Sequence, residues 1–379
     1  MTRSPQTEPA STLVFPAVNE AAFRFIRQAL ARGDRIVGAA SVPVTDFDPD
    51  WGPLLTLPAI YDADFELKLG AIVRDHQVHK AYCPVASVHD AVQVLVRKGS
   101  LPIQLVGQSP IREQMAEHAG LMRRAANALP FARACSGSGS PLELLELAGI
   151  LKQASVIYGE SNDEKLAAMV GVAGDALPGD VVEIGSLMGR SAFVLRYLAW
   201  RQGIGPVLSI DPWSASQAIQ HQSPKQFQSL VDEWDFEVLR EGFFLNMLPI
   251  ASHDHAHLRM TSEEASDVYL RAGHAISMFG RHVDYSRQVA LLHIDGNHDL
   301  AAVALDCELW VPQLRDGGWL ILDDYLWAHG DGPYRVGNRM LDTLSAQILR
   351  SFVAGKALFV QFKHAPTRQG VAYGSGASP

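Results

Sequence analysis

Three carboxylates stand where two apolar runs end. Leu291-Leu292-His293-Ile294 stops at Asp295, and Trp319-Leu320-Ile321-Leu322 stops at Asp323 and Asp324, with His298 three residues beyond the first acid. An unpaired charge at the end of a buried strand is costly, so these positions ask for a partner. The intervening "AAVALDCELWVPQL" reads as a helix, which makes the stretch a parallel strand-helix-strand unit with both strand ends on one sheet edge. Neighbouring strands would bring the acids to within about 5 Å, close enough to drive a proton onto one of them. A divalent cation removes the repulsion. Hard oxygen ligands suit Mg²⁺, with Mn²⁺ and Ca²⁺ as alternatives. An imidazole at position 298 is suited to take a proton from a hydroxyl whose pKa the metal lowers. The plainer reading makes Asp323 a cap, Asp295 an acceptor of turn N–H groups, and His298 a surface turn residue.

A second set of tools lies upstream. "VVEIGSLMGRSAF" reads as a strand, a glycine turn and a helix, with Gly185 ending the strand and Gly189 opening the helix. The dinucleotide fingerprint GxGxxG is absent, which argues against NAD or FAD. The next strand, "VLSIDPW", ends on Asp211, where a carboxylate can accept hydrogen bonds from a ribose diol or simply cap a turn.

"VVEIGSLMGRSAFVL", "LSIDPW", "LLHIDGNH" and "GGWLILDDY", in this order and spacing, resemble the class I S-adenosylmethionine-dependent methyltransferases. Within them the chain looks most like the metal-dependent sugar O-methyltransferases of the mycinamicin type. The resemblance implies that Glu183, Gly185, Ser186, Gly189 and Ser191 lie around the methionine part of the cofactor. It implies Asp211 at the ribose, and Ser262 and Glu263 at adenine. Asp295, Asp323 and Asp324 would hold Mg²⁺ or Mn²⁺, with Asp295 and His298 as the catalytic pair and His298 the base. His329 is the reserve base. Tyr325, Trp327 and Tyr334, which follow the acids, could stack against a sugar ring, with His329 beside them. The implied reaction moves a methyl group from S-adenosylmethionine to a hydroxyl of a sugar or glycosylated natural product, a small-molecule acceptor.

The elements that must position these residues alternate along the chain, the pattern of an α/β fold. "ACSGSGSPLE" has linker composition. It separates an accessory α/β domain (19–133) from a class I methyltransferase domain with a Rossmann-like sheet (142–365), with the linker at 134–141. Residues 1–18 read as a disordered lead-in and 366–379 as a flexible tail. In the accessory domain Asp62 is placed to cap the helix "DADFELKLGAIVRDHQ", and "LPAIYDADF" loosely resembles the domain preceding the ATP-grasp fold. Dimerisation or substrate contact is its expected use, and a homo-oligomer the expected state. "NRMLDTLSAQILRSF" reads as a helix, followed by an antiparallel last strand, "KALFVQF".

Composition bounds the rest. The 379 residues are 47% hydrophobic and 19% charged, with a formal net charge of −9. That balance argues against a nucleic-acid partner, and no apolar run is long enough to cross a bilayer. Cys83, Cys135 and Cys307 are far apart, fitting buried thiols in a reducing cytoplasm. His253, His255 and His257 alternate and could imitate a zinc site, but a solvated loop is the better reading. His293 reads as a satisfied core histidine. Two rival functions remain: a non-catalytic binding protein on the same fold, and a relative of the cephalosporin hydroxylases.

Overall fold

The computed structural model describes residues 11–137, 142–222, 224–225 and 231–372. The chain divides into two compact units, Met1–Gly120 and Leu121–Pro379.

The first unit runs β1 (Ser11–Val14), α1 (Glu20–Ala31), β2 (Arg35–Ala40), β3 (Leu54–Thr56), α2 (Phe65–Asp75), β4 (Val78–Tyr82), α3 (Ala86–Arg97) and β5 (Gln104–Leu105). Its sheet is parallel throughout, in the order β3-β2-β1-β4-β5. Two expectations are corrected here. Residues 11–14 are not part of a disordered lead-in: they form the central strand, and all four are buried. Buried on both faces and only four residues long, β1 shows no alternation for a sequence pattern to catch. Residues 1–10 of the expected lead-in lie outside the described residues. Asp62 does not cap α2; its carboxylate accepts the Ala59 N–H at 2.9 Å, and Asp64 occupies the cap position.

The boundary also moves. Helix α4 (Pro110–Cys135) runs into the residues expected to be linker, and the division between the units falls within it. Ala125, Leu129, Ala132 and Cys135 follow helical spacing and belong to the core of the second unit. Residues 138–141, the rest of the expected linker, lie outside the described residues.

The second unit continues with α5 (Leu144–Val156), α6 (Asp163–Gly174), β6 (Asp180–Ile184), α7 (Arg190–Gln202), β7 (Val207–Ile210), α8 (Ala215–Ala218), α9 (Phe236–Met247) and β8 (His255–Leu258). Then come α10 (Ser262–Arg271), the hairpin β9 (His274–Ile276) and β10 (His282–Asp284), β11 (Val289–Ile294), α11 (Leu300–Trp310) and β12 (Leu314–Leu322). The chain closes with α12 (Gly332–Thr343), β13 (Ile348–Ala354), β14 (Ala357–Phe362) and α13 (Arg368–Val371). The main sheet is ordered β13-β14-β12-β11-β6-β7-β8. Strands β12, β11, β6, β7 and β8 are parallel, and β14 is antiparallel to β12. The helix expected through residue 352 ends at Thr343 instead, because "ILRSFVA" alternates in burial as the edge strand β13. Residues 368–371 of the expected tail are helical, and 373–379 lie outside the described residues.

Register sets the functional edge. Ile184 pairs with Ile210 on one side and Ile294 on the other, and Ile294 pairs with Leu322. The next residues, Gly185, Asp211, Asp295 and Asp323, therefore leave the sheet side by side. Gly185 has φ +83°, and a β-carbon there would lie 2.1 Å from the Asp295 carbonyl oxygen. Only glycine lets the first turn pass so close to the strand end that carries the acid. Gly185→Ala is accordingly expected to lower unfolding free energy by at least about 2 kcal/mol, read from the midpoint of a urea titration. A change within about 0.5 kcal/mol would contradict this packing.

Candidate active site

The acids expected to converge are brought together. Asp323 continues the ladder, its N–H bonded to the Ile294 carbonyl at 2.9 Å, and Asp324 then adopts φ +48°, in the left-handed region that few non-glycine residues enter. This turn aims two successive carboxylates at the end of β11. The ligating atoms of His293, Asp295 and Asp323 lie within 4.8 Å of one another, and so do those of Asp295, His298 and Asp324. His298 Nε2 stands 3.4 Å from Asp324 Oδ2 and 3.8 Å from Asp295 Oδ1. Its Nδ1 lies 3.2 Å from the Gln220 carboxamide.

His293 has a larger part than that of a satisfied core side chain. Its Nδ1 meets Glu183 at 3.1 Å, both groups being fully buried, while Nε2 faces Asp295 and Asp323 at 3.8 and 4.0 Å. Glu183, expected beside the methionine part, thus spends one oxygen on His293 and the other accepting the Ser186 hydroxyl at 2.8 Å. The Nε2 atoms of His293 and His298 are buried and have no hydrogen-bond partner. Two orphaned imidazole nitrogens and three converging carboxylates are a donor set that fits a hard or borderline divalent cation.

Sequence reasoning missed two cations at this edge. Lys165, from the first turn of α6, is fully buried and pairs with Asp323, with Asp295 at 3.5 Å from its ammonium. Lys356, in the turn between β13 and β14, lies 2.8 Å from Asp324 Oδ1 and 3.2 Å from Glu160. A signal was present for the first: Lys165 opens a run of nine buried residues, "KLAAMVGVA", where a lysine has no place without an anion. These charges sort the acids. Burial raises Asp295 above the usual carboxylate range, reinforced by the Asp323 charge. Burial would raise Asp323 as well, but Lys165 holds it well below. Burial opposes the charge on His298, yet the Asp295 and Asp324 carboxylates facing its Nε2 leave it raised.

The residues expected around a cofactor include several along the same edge. Asp211 Oδ2 accepts the N–H groups of Ser186 and Leu187 at 3.0 and 2.8 Å, and Oδ1 accepts that of Trp213 at 2.7 Å. It therefore ties the glycine turn to the end of β7, and burial raises its pKa. Gly189, at φ +89°, caps α7, and Ser191 is buried in that helix's first turn. Ser262 begins α10 and accepts the Trp310 indole N–H at 3.0 Å, while Glu263 is exposed in the same turn. Of the aromatic residues, Tyr325 is buried and bonds Asn338, so its ring packs inside the fold instead of presenting a stacking face. Trp327 packs edge-on against both His298 and His329, with ring centroids 4.8 and 5.3 Å apart, and Tyr334 is half-exposed. Of the alternating histidines, His253 lies exposed in a turn, as expected of a solvated loop, but the other two do not. His255 and His257 lie in β8, where Ser209 meets His255 Nε2 at 3.0 Å and burial holds its pKa down at about 3.

Residues 182–325, which contain the glycine turn and all three acids, match the family model of a methyltransferase domain. That match places a methyltransferase-like domain within the second unit. No curated protein matches the chain. Among solved structures, the O-methyltransferase NovP is 13% identical, with coverage of 58% of this chain and 81% of that one and a TM-score of 0.38. MycE, a methyltransferase of the mycinamycin pathway solved with Mg, SAH and mycinamycin VI, is 13% identical over 53% of this chain and 47% of that one, at a TM-score of 0.30. CalS11, a TDP-rhamnose 3'-O-methyltransferase of calicheamicin biosynthesis, is 14% identical over 68% and 96%, at 0.34.

One carboxyl of this domain is a stability liability. Asp306 on α11 is buried beside Ser262, and burial pushes its pKa from 3.8 up to about 7. The folded state keeps the proton that the unfolded chain loses above 3.8, so this group's contribution to stability falls as pH rises from 3.8 to about 7. Asp306→Asn, neutral at every pH, should stabilise the protein about 2 kcal/mol more at pH 8 than at pH 5. Melting curves at the two pH values measure it, and an equal effect at both would refute the assignment.

Proposed function

We propose that this methyltransferase domain is an O-methyltransferase acting on a hydroxyl of a sugar or glycosylated small molecule, with Mg²⁺ or Mn²⁺ at the acid cluster. The observation that carries the reading is the meeting of Asp295 with Asp323 and with Asp324 at two adjacent strand ends, beside a His298 Nε2 that makes no hydrogen bond. Asp295, Asp323 and Asp324 would hold the cation, which would supply a lowered pKa to an acceptor hydroxyl, as S-adenosylmethionine would supply an electrophilic methyl group.

The chain's own residues supply the remainder. Gly185 keeps the strand edge open to close approach, and Asp211 fixes the turn on which Ser186 and Gly189 sit. His298 is the proton acceptor. The Gln220 carboxamide nitrogen faces its Nδ1 at 3.2 Å, and turning that carboxamide over, which exchanges its nitrogen and oxygen, would hold the proton on Nδ1 and leave the Nε2 lone pair to the site. Trp327 packs against the imidazole and limits its rotation. Trp327 and the half-exposed Tyr334 offer aromatic surface to a sugar, and His329, also packed against Trp327, is the reserve base. Among the described residues no helix is long and apolar enough to cross a membrane. Three buried free thiols support a cytoplasmic setting.

Calorimetry should detect S-adenosylmethionine binding to the full chain, and a glycoside panel should reveal methyl transfer stimulated by Mg²⁺. Absence of cofactor binding would end this reading. Asp324→Ala should abolish the Mg²⁺ response, and an unchanged response would remove the metal. His298→Ala should lower kcat by about a hundredfold or more with cofactor affinity retained. Normal turnover in that variant would reassign the base.

A further inference from the structure

We infer that Lys165 is the resident cation of the acid cluster, holding Asp323 and Asp295 together without a metal and setting by competition how tightly a divalent cation binds. This rests on the reading of the three acids as a metal site. Lys165 is not an incidental neighbour. Asn162 caps α6 by accepting the Lys165 N–H at 2.9 Å, so the helix begins where the side chain must turn toward the strand ends. The backbone there is fitted against the turn between β13 and β14. A β-carbon on Gly355 would lie 2.2 Å from Asn162 Oδ1 and 2.7 Å from Lys165 N, and Gly355 itself has φ +53°. That same turn carries Lys356 to Asp324. One packing contact therefore places both cations.

The two lysines differ in what they can yield. Lys356 is a third exposed and also touches Glu160, so it can leave Asp324 for solvent when another cation arrives. Lys165 is fully enclosed, and among the described residues its ammonium pairs with no anion outside the cluster. Asp323 is committed on both oxygens, one accepting the Asp324 N–H at 2.9 Å and the other facing Lys165. Any divalent cation drawn to Asp295 and Asp324 sits against a fixed positive charge. At such separations, in a poorly solvated site, like charges repel strongly enough to cost at least about tenfold in affinity. Lys165 is thus a positioning residue. It keeps the carboxylates gathered in the metal-free protein and makes the bound cation exchangeable.

The test is Mn²⁺ binding to the full-length protein, read as loss of the free-ion signal in electron paramagnetic resonance. Lys165→Met should bind Mn²⁺ at least about tenfold more tightly than the parent, and Lys165→Arg, which keeps the charge, within about threefold. Lys165→Gln retains a donor for Asp323 without the charge and should tighten binding in the same direction. It stands in where the methionine variant does not fold. Saturating Mn²⁺ should also raise the melting temperature of the neutral variants more than that of the parent. A parent that binds Mn²⁺, with neutral variants that bind it equally or less well, would overturn the role of Lys165 and leave the metal site standing. No Mn²⁺ binding by parent and neutral variants alike would overturn the metal site, and this inference with it.

Discussion

Three carboxylates at two neighbouring strand ends persist only beside compensating charge, and much of the second unit is arranged around that requirement. The sheet order puts β11 against β12 and so creates the repulsion. Helix α6 and the turn between β13 and β14, remote from the acids in sequence, supply the two ammonium groups that relieve it. The left-handed backbone at Asp324 is the local cost of bringing two successive carboxylates, Asp323 and Asp324, each within reach of Asp295. Burying an ion pair is seldom a route to stability, since desolvation offsets much of the attraction. A cluster retained at this depth is better understood through what it does to a ligand.

The same edge shows how one carboxylate differs from another by surroundings alone. Asp211 is satisfied by three backbone N–H groups and stiffens the glycine turn. Asp323 is held ionised by Lys165, whereas Asp295 shares the neighbourhood with less compensation and is pushed toward its neutral form. His293 links this cluster to Glu183, extending the polar network back into the sheet. Divergent environments for adjacent titratable groups are a mark of functional sites.

The first unit contributes a separate parallel sheet with its own apolar core. Its central strand comes from a segment whose polar opening residues, Ser11 and Thr12, are nevertheless fully buried. A strand enclosed on both faces carries no alternating signature, so the fold of that unit depends on pairing with β2 and β4, which lie later in the chain. The linker composition of "ACSGSG" was misleading for a related reason. Ala125, Leu129, Ala132 and Cys135 form an apolar stripe that binds the end of α4 to the second core, and that packing carries the helix past the point where the small residues suggested a linker.

What the sequence determined by itself was local and periodic. Apolar runs ending on Asp295, Asp323 and Asp211, a glycine turn at Gly185 and alternating helices and strands were enough for the α/β class and for the strand ends that bear chemistry. A parallel strand-helix-strand unit forces its strand ends onto one edge, which made the meeting of the three acids legible in advance. Tertiary structure alone decided which groups neutralise them. Lys165 lies 130 residues before Asp295 in the numbering, and Lys356 belongs to a hairpin whose first strand, β13, was hidden inside an expected helix. It decided the double duty of Glu183, the burial of Tyr325 and the reach of His293 toward the acids. Charge compensation acts through space over a few ångströms, and proximity of that kind is created by folding and leaves no periodicity in the chain.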